Sequence, residues 1–110
     1  MYIASMKNED EIFRALADPT RRGVYERLCQ GEAAVGELTA RFDVSQPAIS
    51  QHLRVLRAAG LVSERRSGRN IYYRVDPKGL RPLVDWLAHY QAFWGDHLDK
   101  LKALTEELEK

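Results

Sequence analysis

Cysteine, long apolar runs and a signal-peptide pattern are scarce or missing in this 110-residue chain. Its one cysteine, Cys29, excludes an intrachain disulfide, and its helical context beside Leu28 predicts a small buried side chain. No apolar run is long enough to span a membrane, and the first ten residues lack a basic-then-apolar pattern. We therefore expect a cytoplasmic protein that does not contact a membrane.

Acidic residues are scarce in the middle of the chain. Residues 41–75 carry seven arginines and only two acids, whereas residues 1–40 and 76–110 each carry five basic and seven acidic residues. The net charge of the whole chain, +1, hides this division. A basic segment between acidic flanks is typical of a domain that offers one face to phosphate.

Helical and extended patterns follow one another in a defined order. Apolar spacing predicts helices over 9–17, 19–30, 35–42 and 45–59, and a long last helix from about 78 towards 108. β-Branched and aromatic residues predict strands over 61–66 and 71–75, joined by the turn-forming sequence Ser67-Gly68-Arg69-Asn70. We therefore predict one mainly α, winged helix-turn-helix domain over residues 1–110, with five helices and a two-stranded β-hairpin as its wing.

The predicted helix that begins at Ser45 has two different faces. Its inward stripe is apolar and consists of Ala48, Ile49, Leu53 and Leu56. The opposite face is polar, and no acid occurs from Ser45 through Gly60. The second helix of a helix-turn-helix lies in the major groove, where Gln pairs with adenine and Arg with guanine. The predicted DNA contacts on this face are Gln46, Pro47, Ser50, Gln51 and Arg54.

Three arginines cluster around the predicted hairpin turn: Arg65, Arg66 and Arg69. A basic tip beside a groove-reading helix indicates a wing that contacts the DNA backbone or the minor groove. Such contacts add mainly sequence-independent, salt-sensitive affinity. Because side chains alternate along a strand, one of Tyr72 and Tyr73 should face the core and the other the wing surface.

Three motifs resemble ArsR/SmtB-type repressors and occur in the order of that family. They are Phe13-Arg14-Ala15-Leu16-Ala17-Asp18-Pro19-Thr20-Arg21-Arg22; Val44-Ser45-Gln46-Pro47-Ala48-Ile49-Ser50-Gln51-His52-Leu53-Arg54-Val55-Leu56 with Ala59-Gly60-Leu61-Val62; and Arg65-Arg66-Ser67-Gly68-Arg69-Asn70-Ile71-Tyr72-Tyr73. The resemblance covers nearly the whole chain and implies a winged-helix homodimer that represses transcription at a double-stranded DNA operator with dyad symmetry. It also implies DNA contacts at Ser45, Gln46, Pro47, Ser50, Gln51 and Arg54 in the reading helix and at Arg65, Arg66 and Arg69 in the wing.

The metal-ligand motifs common among these repressors are not reproduced. The family's Cys-x-Cys segment reads Glu32-Ala33-Ala34-Val35-Gly36-Glu37 here, so no thiolate metal site can form there. On the last helix the candidate ligands Asp85, His89, Asp96 and His97 depart from the family's order. We expect no metal and no cofactor, and a repressor that is autoregulatory or responds to another ligand or partner. A metal-sensing repressor that uses Asp and His of the last helix stays the alternative.

Apolar residues recur at every seventh position of the last helix, at Leu80, Leu87, Trp94, Leu101 and Leu108. This spacing is typical of a coiled-coil seam, and the seam is longer than a small domain can cover by itself. We therefore predict that the last helix and the N-terminal helix form a two-fold interface. Its predicted residues are Ile12, Phe13, Leu16, Leu87, Tyr90, Trp94, Leu98 and Leu101.

Two other classes of function are weaker. A winged-helix module that binds protein and not DNA is suggested by the acidic outer segments and by aromatic residues expected to be exposed. Asp85 and His89 resemble a catalytic pair, but no nucleophile or orienting residue stands at a recognisable spacing. We therefore predict that the chain is not an enzyme and keep the interaction module as the alternative.

Overall fold

The computed structural model describes residues 6–108, and within them the side chains from Glu9 onward except those at positions 92, 94, 96 and 98. Five helices and three strands follow one another over this range. They are α1 (Met6–Ala17), α2 (Pro19–Leu28), β1 (Ala33–Ala34), α3 (Val35–Phe42), α4 (Gln46–Ala58), β2 (Val62–Ser67), β3 (Asn70–Val75) and α5 (Arg81–Leu108). The predicted mainly helical winged helix-turn-helix fold is confirmed.

The sheet corrects the prediction of two strands. Its order is β1-β3-β2, with both pairs antiparallel. β1 adds only two residues, which place Ala33 opposite Tyr73 and Ala34 opposite Tyr72. Two alanines lack the β-branched or aromatic side chains that favour a strand, so this pairing depends on the available edge of β3.

Short polar side chains set the helix boundaries of the DNA-binding unit. α3 ends at Phe42, and the C-cap residue Asp43, with a left-handed φ of 50°, turns the chain towards α4. The Oγ of Ser45 then accepts a hydrogen bond from the N–H of Ala48 at 3.2 Å, as expected of an N-cap. Asp18 caps α2 in the same way, and the hydrogen bond from the backbone N–H of Arg21 lowers the pKa of its carboxyl group.

The core lies between the first four helices and the inner face of the sheet. α4 contributes Ile49, Leu53 and Leu56, and all three are fully buried. Ile12 of α1 is also fully buried within the single chain. This corrects its assignment to a dimer interface, because the side chain has no surface left for a second copy to cover.

Cys29 is exposed, contrary to the buried side chain predicted from its context. α2 ends at Leu28, whose side chain is buried, and Cys29 follows as the C-cap residue. The helical pattern identifies the buried stripe up to Leu28 but does not extend past the end of the helix.

A close backbone contact joins the end of α4 to the start of α5. A Cβ at Gly79 would collide with the carbonyl oxygen of Gly60 and lie 2.9 Å from the Cα of Leu61. The preceding turn is closed by Asp76, whose Oδ1 accepts a hydrogen bond from the N–H of Lys78 at 2.9 Å. This turn moves the start of the last helix from the predicted Lys78 to Arg81.

α5 has 28 residues and is therefore about 42 Å long at 1.5 Å per residue. Near its start, Leu80 and Leu83 pack against the core. Further along, large apolar side chains are exposed in the single chain, namely Val84, Leu87, Phe93, Leu101, Leu104 and Leu108. Within residues 6–108, no helix combines the length and apolar character needed to cross a membrane.

Candidate nucleic-acid interface

The outward face of α4 carries the predicted reading residues. Four of them are exposed and Ser50 is half-buried; the exposed ones are Gln46, Pro47, Gln51 and Arg54. Nη1 of Arg54 donates a hydrogen bond to Oε1 of Gln51 at 3.0 Å, so the two side chains stand side by side. The structure thus brings these residues onto one face, with the exposed Ser45 at its beginning.

The tip of the β2–β3 hairpin is the second basic element. Ser67 pairs with Asn70, which leaves Gly68 and Arg69 as the two turn residues. The φ of +63° at Gly68 suits a hairpin turn with glycine at its first central position. Arg66 and Arg69 are exposed, and no acidic side chain of the described residues lies within ion-pair distance of either. Both positive charges are therefore available to phosphate.

Glu64 connects the inner face of the wing sheet to the reading helix. Its Oε1 lies 3.0 Å from Nη1 of Arg57 on α4, and its Oε2 accepts a hydrogen bond from the hydroxyl of Tyr73 at 3.3 Å. Burial raises the pKa of Tyr73, and the negative charge of Glu64 adds to that shift. Tyr73 packs against the core, so it is the inward tyrosine of the predicted pair and Tyr72 is the outward one.

On the outer face of the sheet, Arg65 reaches across Tyr72 to Glu32. Its Nη2 and Nε donate hydrogen bonds to Oε1 and Oε2 of Glu32 at 2.6 and 2.9 Å. The guanidinium carbon lies 5.0 Å from the centroid of the Tyr72 ring. The hydrogen bonds from Arg65 lower the pKa of the Glu32 carboxyl group. Arg65 therefore differs from Arg66 and Arg69 in being paired with an acid of the described residues, although all three were predicted together as DNA contacts of the wing.

A side chain at the junction of α1 and α2 also contacts the reading helix. Nε of Arg21 donates to the carbonyl oxygen of Ala15 at 2.6 Å, and Nη2 donates to that of Arg14 at 3.2 Å. Nη1 of the same side chain lies 3.4 Å from Nδ1 of His52 on α4. Arg21 therefore binds the end of α1 and contacts the reading helix at the same time.

The supporting roles of these residues were not predicted from the sequence. The pairs Arg21–His52 and Glu32–Arg65 join positions 31 and 33 residues apart, a separation that no helical or strand pattern covers. Glu64 offered a weak signal, since it is one of only two acids in residues 41–75. An isolated acid in a basic segment indicates a local ion pair, although it does not identify the partner.

The candidate metal ligands on α5 are not brought together among the described side chains. No group of three His, Cys, Asp or Glu side chains in that part of the chain is placed to hold a metal ion. Oδ1 of Asp85 lies 3.0 Å from Nε of Arg81, and the ring of His89 meets that of Tyr90 edge-on at 4.8 Å between centroids. The side chain of Asp96 lies outside the described residues.

Known proteins resemble this chain in sequence and in fold. Residues 18–64 match the bacterial regulatory proteins of the arsR family. An HTH-type transcriptional regulator of Mycobacterium tuberculosis is 47% identical over 81 residues, which cover 74% of this chain and 76% of the relative. The transcriptional repressor SdpR of Bacillus subtilis is 33% identical over 81 residues, which cover 74% of this chain and 90% of the relative.

A solved structure supports the same assignment. The ArsR-like transcriptional regulator from Rhodococcus sp. RHA1 superposes with a TM-score of 0.76 and 30% identity, over 93% of this chain and 96% of that chain. The chain therefore belongs to the ArsR family of transcriptional regulators. The resemblance inferred from the three sequence motifs is confirmed.

Proposed function

We propose that this chain is a sequence-specific DNA-binding repressor that acts in the cytoplasm, as a homodimer, on an operator with dyad symmetry. The proposal rests on one observation above all. The outward face of α4 and the tip of the wing together present exposed polar and basic side chains, and no acid occurs from Ser45 through Gly60. A surface without carboxylates suits docking into the major groove, because an acid there repels the phosphate backbone.

α4 supplies the base contacts in this proposal. Arg54 pairs with guanine and Gln51 with adenine, each through two hydrogen bonds to the base edge. The hydrogen bond of 3.0 Å between the two side chains orients the guanidinium group before DNA arrives. Residues at and near the N-terminus of α4 reach base edges or phosphate, as N-terminal residues of reading helices do. These residues are Ser45, Gln46, Pro47 and Ser50.

Arg66 and Arg69 supply affinity that does not depend on sequence. Both are exposed, and neither is paired with an acid of the described residues. Each cation that neutralises a phosphate releases a counterion, so these two residues should account for part of the salt dependence of binding.

A second copy of the chain covers an apolar patch formed by α1 and α5. Phe13 is 44% exposed and Leu87 is 55% exposed in the single chain. The ring of Trp86 lies between those of Phe13 and Tyr90, with centroid distances of 5.5 and 5.2 Å. This aromatic cluster spans both helices, and Leu101, further along α5, is 62% exposed.

Different observations support the assignment of the three remaining residues to the predicted interface. Leu16 packs against the core and is half-buried, so it lies at the margin of the patch. The side chains of Trp94 and Leu98 lie outside the described residues. The seven-residue repeat alone supports the place of Trp94 in the interface, and the position of Leu98 one helical turn further on supports its own. A two-fold axis through this patch would set the reading helices about one DNA turn apart, roughly 34–36 Å.

We also propose that the repressor does not respond to metal, and that it is autoregulatory or responds to another ligand or partner. The segment from Glu32 to Glu37 contains no thiol, and Arg81 pairs with the carboxylate of Asp85. Equilibrium dialysis with zinc, nickel and cobalt tests this directly. Tight stoichiometric binding of any of them would contradict the proposal and favour a metal-sensing repressor.

Selection of bound sequences from random DNA tests the main proposal. We expect a dyad-symmetric site whose half-sites are about one helical turn apart. If no sequence is enriched and the protein instead retains a protein partner at high salt, the interaction module replaces the repressor.

Two arginine substitutions on the selected operator test the residue assignments. Arg54→Ala should cost about 1–3 kcal/mol and relax base preference at one position in each half-site. Arg69→Ala should weaken binding evenly across sequences and reduce the salt slope by about one. Arg81→Ala removes the same charge on α5, away from the proposed surface, and should leave both affinity and slope unchanged. Binding like that of the unaltered protein in both site variants would show that the contacts are wrongly assigned.

A further inference from the structure

We propose that Glu32, Arg65 and Tyr72 form a clamp on the outer face of the wing sheet, and that this clamp fixes where the wing meets DNA. Arg65 then acts as a positioning residue and not as a phosphate contact, and Glu32 is its anchor. The inference rests on the proposed DNA-binding function, because it assigns the way in which the wing of that same surface is held.

The strand register places the members of the clamp on one face. Ala34, Tyr72 and Arg65 stand in one row across the three strands. Since side chains alternate between faces, this row lies opposite the face on which Glu64 and Tyr73 meet α4 and the core. Glu32 directly precedes β1 at the far end of the row. Arg65 therefore spans the sheet on the side away from the reading helix.

The contacts commit Arg65 to its partner. Two guanidinium N–H groups form parallel hydrogen bonds of 2.6 and 2.9 Å with the two oxygens of Glu32. The ring of Tyr72, 5.0 Å from the guanidinium carbon, adds a cation–π contact. Bidentate pairs of this kind combine strength with a defined geometry. The pair with Glu32 occupies Nε and one N–H of Nη2, so only the N–H groups on Nη1 and the second one on Nη2 are left for a phosphate.

A second ion pair holds the inner face of the same strand. Glu64 and Arg65 are consecutive, and they pair in opposite directions, with Arg57 on α4 and with Glu32 before β1. A two-stranded hairpin is only marginally stable by itself, so ion pairs on both faces add to the contacts that set its tilt. The tip residues Arg66 and Arg69 would then be held at a fixed distance from the reading helix.

Conservative variants separate positioning from phosphate contact. Lysine keeps the charge of Arg65 but cannot form the planar, two-donor fork. We expect Arg65→Lys and Glu32→Gln each to weaken binding to the selected operator roughly threefold to fivefold without changing the salt slope. Arg81→Lys makes the same chemical change on α5 and should not alter binding.

The sign of the Glu32→Gln effect is diagnostic. If Glu32 only competes with DNA for Arg65, removal of its negative charge tightens binding. Tighter binding by Glu32→Gln, together with a salt slope reduced by about one in Arg65→Ala, would overturn the proposal. The charge-reversed double variant Glu32→Arg/Arg65→Glu should recover affinity relative to its single variants, since it restores the pair at the same net charge. Lack of recovery counts against the clamp.

Hydrogen exchange on the DNA-free protein tests the clamp independently of the operator. Glu32→Gln should speed exchange of amides in β2 and β3, and Arg81→Gln should not. If the unaltered protein enriches no operator, the proposed function fails and the clamp loses its role in DNA binding, while faster exchange would still show that the pair fastens the hairpin. Unchanged exchange in Glu32→Gln overturns the clamp even when operator binding is established.

Discussion

The winged-helix body, from α1 to β3, and the outer part of α5, which follows Leu83, differ in whether their apolar side chains are buried. In the body, Ile12, Leu53 and Leu56 are fully buried by contacts within the chain. On α5, Leu101 and Leu104 are 62% and 53% exposed. Large exposed apolar patches mark interaction sites, which another protein chain can cover. The body therefore owes its stability to the single chain, whereas the proposed dimer would stabilise the outer part of α5.

The same substitution in the two regions gives the largest contrast. Leu53→Ala leaves a cavity in the body and should lower the free energy of unfolding by about 2–5 kcal/mol. Leu101→Ala should change that of the monomer by less than about 0.5 kcal/mol and weaken dimerisation instead. Urea unfolding at dilute concentration and sedimentation measure the two effects. A large loss of monomer stability in Leu101→Ala would show that α5 packs on its own body.

The joint between the two regions should tolerate change poorly. Gly79→Ala places a Cβ against the backbone of Gly60 and Leu61, which cannot rotate away, and should cost about 1–3 kcal/mol. Gly95→Ala is the matched control within α5, where an added Cβ meets no described atom within 4 Å. It should stabilise the monomer by about 0.5–1 kcal/mol because glycine is unfavourable inside a helix. Equal effects on thermal unfolding would mean that the joint is not tightly packed.

A substitution in the body can remove a buried polar atom that has no hydrogen-bond partner among the described residues. Glu9 is only 3% exposed, and its Oε1 has no hydrogen-bond partner among the described residues. Glu9→Met keeps the length of the side chain and removes the unpaired oxygen, so it should stabilise the protein by about 1–2 kcal/mol. Thermal unfolding measures the change, and a lower melting temperature would indicate that the carboxylate has a partner in solution.

Local patterns predicted the body well because its elements are specified by neighbouring residues. α3 runs from Val35 to Phe42 as predicted, and Ser45 caps α4 through a hydrogen bond to Ala48. The two-residue β1 and the Glu32–Arg65 pair were not predictable, since both depend on segments that are distant in sequence. The turn that delays α5 depends likewise on the approach of Gly79 to Gly60.

Periodicity also could not assign apolar residues to an intrachain or an interchain surface. Ile12 and Phe13 are adjacent on α1 and were predicted together as interface residues. Ile12 is fully buried in the body, whereas Phe13 is 44% exposed beside Trp86. A helical pattern identifies an apolar face, but the packing of the other helices decides how much of that face remains exposed.

The smallest expected effect is that of replacing Asp18, the N-cap residue of α2. The stability that Asp18 contributes to the body should depend on pH, whereas the effect of a substitution on α5 should not. The hydrogen bond from the N–H of Arg21 lowers the pKa of Asp18 from its ordinary value of 3.8. The carboxylate therefore stabilises the folded state fully above pH 3.8, and this contribution is lost as the pH falls through the lower pKa of the folded state. Asparagine also caps helices but does not titrate. Asp18→Asn should thus be slightly less stable than the unaltered protein at neutral pH, and urea unfolding should show the gap closing below about pH 4. The effect of Leu101→Ala on the stability of the monomer should not change over that range. A difference in stability between Asp18→Asn and the unaltered protein that persists at pH 3 would show that the charge of the cap does not cause it.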